Sequence, residues 1–164
     1  MTAVGIEAIN TFAGSAYVNV EKLAQHRKLD TARFKNLLMK EETVALPYED
    51  PITFGLNAAK PRVDALSVEE KDRIEMVITC TESAFDFGKS MSTYFHKHLG
   101  LNPNCRLFEL KNACYSGVAG LQMVVSFILS QVSPGGQSVG SGHRYLALYD
   151  RAGWRSSDTR LVIL

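Results

Sequence analysis

Between Ile74 and Gln131 the chain runs through one pattern twice: a short apolar strand, then a helix. "IEMVITC" (74–80) is apolar and rich in β-branched residues, and "SAFDFGKSMSTYFHKHLG" (83–100) follows with helical periodicity up to Gly100, a natural helix terminator. "CRLFEL" (105–110) then reads as a second strand. "SGVAGLQMVVSFILSQ" (116–131) reads as a second helix, apolar on most sides and therefore expected to be buried. Strand, helix, strand, helix implies parallel strands joined by a right-handed crossover, so the fold class expected is α/β. Strands that run the same way end on the same edge of their sheet, where open α/β sheets bind ligands.

That edge receives two chemically useful residues. Glu82 follows the first strand and Cys114 follows the second. Adjacent strands lie about 4.8 Å apart, so neighbouring strands would bring a carboxylate and a thiol within reach of one small substrate. A cysteine at a helix amino terminus faces unpaired N–H groups and the positive end of the helix dipole, which favours a thiolate and can hold an oxyanion. Ser116, Gly117, Ala119 and Gly120 keep the turn after it small. The other reading of Cys114 is a cysteine that merely packs. Packing is the reading for Cys80, at the end of an apolar strand, and for Cys105, at the start of one.

The preceding residues carry fold signals but no chemistry. Val4 to Phe12 alternates like a strand, Val20 to Arg27 reads as a short helix, and Asp30 looks like the N-cap of another through Leu38. "ETVAL" (42–46) is a brief strand candidate. Asp50 followed by Pro51 marks a helix start, and Ser67 with Glu70 has capping-box spacing.

Composition narrows the function classes. The chain has 164 residues, 46% of them hydrophobic, enough to bury the core of a single domain. A formal charge of +1 and the lack of a basic run give no reason to expect nucleic acid or an anionic membrane surface as partner. The start has no charged leader followed by an apolar segment, and the longest apolar stretch, Val118 to Val132, is shorter than a spanning helix and contains Gln122 and Ser126. Three cysteines without CxxC spacing fit free thiols in a reducing compartment, so a cytoplasmic location is expected. No metal is expected: His96 and His98 form an HxH pair, but residues two apart on a helix do not share a face.

The segments "ITCTESAFDFGKS" and "FELKNACYSG" closely resemble the hydroxymethylglutaryl-CoA synthases of the thiolase superfamily, in the branch that installs β-branches in polyketide biosynthesis. The similarity runs from "GIEAINTFAGSAYVNV" to about Gly136 and takes in "LPYEDPITFGLNAAKP". It implies the amino-terminal part of a layered αβαβα fold, incomplete in this chain. It further implies that Cys114 accepts an acetyl group as a thioester, from an acyl carrier protein or acetyl-CoA, and that Glu82 is the general base. The resemblance calls for no metal or organic cofactor, and it implies a homodimer for the full-length protein. The family also uses a histidine in a motif that His26, His96, His98 and His143 do not match, so none of them takes that role.

Beyond "SPGG" the resemblance stops, dividing the chain into residues 1–136 and a tail, 137–164. The family has an apolar strand here. This chain reads "QSVGSGHRYLALYDRAGWRSSDTRLVIL" instead. Codons for Gln137 to Asp150, read one nucleotide later, permit KALVVATDISRFMI, which resembles the missing strand. A frameshift near Gly136 or Gln137 is therefore expected to have replaced family sequence with unselected residues. On that expectation the central strands lack neighbours, the product is poorly soluble and inactive, and Trp154 and Arg155 have no role.

Two other readings remain. One is a non-catalytic thiolase-like fragment that only binds a carrier protein, against which the joint presence of Glu82 and Cys114 argues. The other is a ketosynthase or thiolase relative performing decarboxylative condensation.

Overall fold

The computed structural model describes residues 4–36, 38–82, 85–130, 144–150 and 160–163. In chain order the elements are β1 (Ile9–Phe12), β2 (Tyr17–Asn19), α1 (Val20–His26), α2 (Thr31–Asn36), β3 (Glu41–Thr43), α3 (Pro51–Asp64) and α4 (Val68–Asp72). They continue as β4 (Ile74–Thr81), α5 (Ser92–Leu99), β5 (Arg106–Lys111), α6 (Ser116–Leu129), β6 (Arg144–Asp150) and β7 (Arg160–Ile163), with a 3-10 turn at Ala113–Tyr115. Five strands form one sheet in the order β1-β7-β6-β4-β5, and β2 pairs with β3 in a separate two-stranded ribbon.

The strand pairing on which the site depends is present. β4 lies parallel to β5, with Thr81 opposite Lys111, so both strands end at the same level. β4 is the buried spine of the sheet, and its alternation separates two apolar clusters. Val77 joins Ala58, Ala59 and Val63 of α3 and Phe95 and Leu99 of α5 on one face. Met76, Ile78 and Cys80 pack against Met123, Val124, Phe127 and Ile128 of α6 on the other. Helices therefore cover both faces of the described sheet, as parallel strands require.

Several helix starts follow from local chemistry. Asp50 Oδ1 accepts the N–H of Thr53 at 2.6 Å, with Pro51 in the first turn of α3. The Ser67 and Glu70 side chains complete a reciprocal capping box on α4. Gly100 closes α5 in the left-handed region, φ 63°. Gly55 is required by contact, since a Cβ there would lie 2.4 Å from the Phe95 ring.

The structure also departs from expectation. The helix expected from residue 83 starts at Ser92. Asp86 Oδ1 accepts the N–H groups of Gly88 and Lys89, a side-chain turn that competes with helix. Helix α6 is not buried on most sides: Val118, Val125 and Leu129 are exposed, because the sheet covers only one flank of a helix that is apolar nearly all round. β1 is only the end of the Val4 to Phe12 segment, and the strand in "ETVAL" shifts to Glu41–Thr43 to pair with β2. α2 stops at Asn36, and Leu38 has φ 56°.

The largest departure lies in the tail. β4 was expected to lack a neighbour on one side, yet β6 runs parallel to it from Ile74 opposite Arg144 to Thr81 opposite Asp150, with a register shift between Ile74 and Met76. A parallel ladder uses backbone groups alone, and "YLALY" is apolar enough to enter a buried sheet whatever its origin. His143, Trp154 and Arg155 lie outside the described residues.

Candidate active site

Glu82 and Cys114 come together where the parallel strands β4 and β5 end. Glu82 is the first residue after β4. Cys114 lies in the 3-10 turn that joins β5 to α6, a turn earlier than a position inside α6 itself. The Cys114 thiol donates to Glu82 Oε1, with Sγ and oxygen 3.2 Å apart. Cys114 is exposed and Glu82 half-buried, so a substrate can reach the pair from solvent.

The backbone that presents the thiol is sharply folded. Ala113 has φ 41°, in the left-handed region that a side chain normally avoids. Tyr115 N–H donates to Asn112 O at 3.0 Å, and Ser116 Oγ donates to Ala113 O at 2.9 Å, so hydrogen bonds on both sides hold the bend. Ser116 is fully buried and anchors the start of α6. Strain of this kind, held by its surroundings, fits a chain that lifts one side chain to a rim. The Tyr115 hydroxyl donates to Gln122 Oε1 at 2.8 Å and ties the turn along the α6 surface. Neither the Ala113 bend nor the Tyr115–Gln122 link was expected from the sequence, since nothing in "NACY" marks a positive φ.

The other two cysteines pack. Cys80 sits beneath Gly120, and burial pushes its thiol up to about 12. Burial likewise pushes the half-buried Cys105 up to about 12, with Arg106 acting against the shift. His96 Nε2–H donates to Asn102 O at 2.9 Å and fastens the loop after α5, while His98 faces solvent and His26 ends α1. Among the described residues, no three His, Cys, Asp or Glu side chains are grouped to hold a metal ion. Among them, too, no helix is long and apolar enough to cross a membrane.

A cavity of about 330 Å³ opens in the amino-terminal region between α1, α2 and β3, lined by Leu23, Arg27, Arg33, Phe34 and Glu42 among others. Burial raises the Glu42 carboxyl, opposed by the charge of Arg27. No sequence signal marked this cavity, because its walls come from separate short elements with no shared motif.

The described fold, a mixed sheet with helices on both faces and an acid and a thiol meeting past two adjacent parallel strands, matches structures of the thiolase-like class. No protein-family model matches the chain. It is, however, 68% identical over 139 residues to the polyketide biosynthesis 3-hydroxy-3-methylglutaryl-ACP synthase PksG of Bacillus subtilis, covering 85% of this chain and 33% of that one. It is 34% identical over 126 residues to the hydroxymethylglutaryl-CoA synthase of Enterococcus faecalis, covering 76% of this chain and 32% of the relative. A solved structure of PksG superposes with a TM-score of 0.85 at 58% identity, covering 97% of this chain and 39% of that one. The curacin-pathway HMG synthase in complex with acetyl donor-ACP gives 0.83 at 49% identity, covering 97% and 40%. The chain is thus similar to the hydroxymethylglutaryl-CoA synthases, over the amino-terminal part of those relatives. It spans about a third of the length of the curated relatives it matches.

Proposed function

We propose that this chain carries the acyl-loading and proton-abstracting half of a hydroxymethylglutaryl synthase that acts on carrier-bound acyl chains in polyketide β-branching. The Cys114 sulfur attacks the carbonyl of an acetyl thioester. The carbon–sulfur bond to the donor breaks, and the donor leaves as a thiol of carrier protein or CoA. Glu82 then takes a proton from the acetyl methyl. The resulting carbanion equivalent attacks the ketone of a β-ketoacyl thioester, a carbon–carbon bond forms, and the ketone oxygen takes up a proton to become a hydroxyl. Water cleaves the Cys114 thioester, leaving a carboxylate on the product and a free thiol on the enzyme.

The observation that carries this reading is the 3.2 Å contact between Cys114 Sγ and Glu82 Oε1. A base this close to the sulfur lies within reach of the methyl of an acetyl group bound there, as general-base catalysis requires. A carrier protein as donor is favoured because PksG is named an ACP synthase and the curacin enzyme was solved with acetyl donor-ACP. The full-length protein would act as a cytoplasmic homodimer, with its catalytic histidine outside this chain and no cofactor.

Residues 137–164 are proposed to be a frameshifted replacement of family sequence. Identity to PksG is 68% over 139 residues and 58% when 97% of the chain is superposed, so the added span contributes few identical positions. This form is proposed not to turn over.

Incubation with acetyl-loaded carrier protein and, separately, with acetyl-CoA tests the function. The proposal expects the mass of one acetyl group on the peptide containing Cys114, absent in Cys114→Ala. With the reading frame restored, no acetylation from either donor would overturn the enzymatic reading and leave the carrier-binding one.

A further inference from the structure

Helix α5 begins with a hydrogen-bond arrangement that its own residues do not complete. Ser92 N–H donates to Ser90 Oγ at 3.3 Å, Thr93 N–H to Ser90 O at 3.1 Å and Tyr94 N–H to Met91 O at 3.0 Å. The N–H of Met91 donates instead to a residue of another element, Glu109 Oε2 in the middle of β5. The Met91 side chain is buried in the apolar cluster against α3, so this start of α5 is held from both sides.

The strand carrying Glu109 leads directly to Cys114, and the loop ending at Met91 leads directly from Glu82. Glu109 sits opposite Thr79 in the β4–β5 ladder, and Thr79 Oγ1 donates to the O of Phe108, one position earlier on β5, at 3.2 Å. Phe85 and Lys89 both touch Tyr94 of α5. The Phe85 ring meets Tyr94 edge-on at 6.0 Å, and the Lys89 ammonium lies 3.9 Å above the Tyr94 ring. Where α5 sits relative to β5 therefore bears on where the Glu82 connection ends relative to the Cys114 connection.

We infer that Glu109 is a positioning residue: by accepting the Met91 N–H it ties the start of α5 to β5 and holds Glu82 in register with Cys114. The inference rests on the acid–thiol pair proposed above. Glutamine keeps an accepting oxygen at the same reach, whereas alanine removes it and aspartate is one methylene too short.

The test is the rate of Cys114 alkylation by iodoacetamide as a function of pH, in the wild-type chain and in Glu82→Ala, Glu109→Ala, Glu109→Asp and Glu109→Gln. Loss of a single hydrogen bond to the thiol should alter that rate by about threefold. Glu82→Ala, which removes the accepting oxygen, sets the size of the change. Glu109→Ala and Glu109→Asp are expected to reproduce most of it, and Glu109→Gln to keep the wild-type profile. Amide exchange should accelerate at Met91 in the alanine variant and stay unchanged across α3. If Glu109→Ala does not fold, Glu109→Asp takes its place in the comparison. A wild-type profile in both, alongside an altered Glu82→Ala, overturns the role of Glu109 and spares the pair. Equal loss in Glu109→Ala and Glu109→Gln also overturns it, because an acceptor is then not what matters. A wild-type profile in Glu82→Ala contradicts the pair itself, and the role of Glu109 falls with it.

Discussion

Gly120 of α6 lies directly over Cys80 of β4, so close that a Cβ on Gly120 would stand 2.6 Å from the Cys80 sulfur. The helix that follows Cys114 thus rests on the strand that leads to Glu82. Its distance from the sheet is set by the lack of a side chain at one position.

Gly120→Ala should therefore destabilise the fold by about 1–3 kcal/mol, the usual cost of overpacking a core. Cys80→Ala in the same chain should return part of that loss by vacating the space. Urea denaturation of both single variants and the double variant measures it. Strict additivity would show that the contact is not what restricts position 120.

Asp50 caps α3 through the Thr53 N–H and also accepts the Thr53 hydroxyl at 2.6 Å. Asp50→Ala is expected to cost about 1 kcal/mol, and Asp50→Asn, which keeps an accepting oxygen, less. A shift in urea midpoint for alanine no larger than for asparagine would count against the cap.

Cys80 and Cys105 both hold their protons more tightly in the fold than in the unfolded chain, where a thiol titrates near 9.0. Between about pH 9 and 12 the native state then binds more protons than the unfolded state, so stability falls as pH rises through that window. Urea midpoints taken at neutral pH and above pH 9 should show the fall, and Cys105→Ala should flatten it in part. Below pH 9 Cys114 should be alkylated well before either of the others.

The exposed residues Val118, Val125 and Leu129 place apolar surface on one side of α6. Such a surface favours self-association. Replacing Leu129, 58% exposed, with lysine should lower light scattering at high protein concentration without lowering the thermal midpoint. Unchanged scattering would mean that this flank does not drive association.

How far the sequence announced this structure depended on whether the signal was local. The caps at Asp50, Ser67 and Gly100 could be read because each rests on a side chain and a backbone group within a few residues. The parallel pairing of β4 and β5 could be read because the helix between them leaves a crossover as the natural connection. The start of α5 was misread because Asp86 diverts the backbone, an effect that apolar periodicity does not carry. The exposure of α6 was misread because burial depends on what stands opposite, and hydropathy records only what a helix would tolerate. β6 was not expected because the tail departs from the family's apolar strand, although "YLALY" suits a strand in its own right. The convergence of Glu82 and Cys114 was legible from the two strand ends, while the Ala113 bend and the Glu109 tie were not, since both depend on three-dimensional contacts.

The claim that an acid and a thiol serve one acetyl group is tested most directly by solvent exchange at the acetyl methyl. In a chain continued after Gly136 in the alternative reading frame proposed above, Cys114 would be acetylated in heavy water and the acetylated peptide weighed over time. The wild-type protein should gain deuterium on the methyl, while Glu82→Ala should acquire the acetyl group and gain almost none. Equal deuterium uptake in the two proteins would contradict the account.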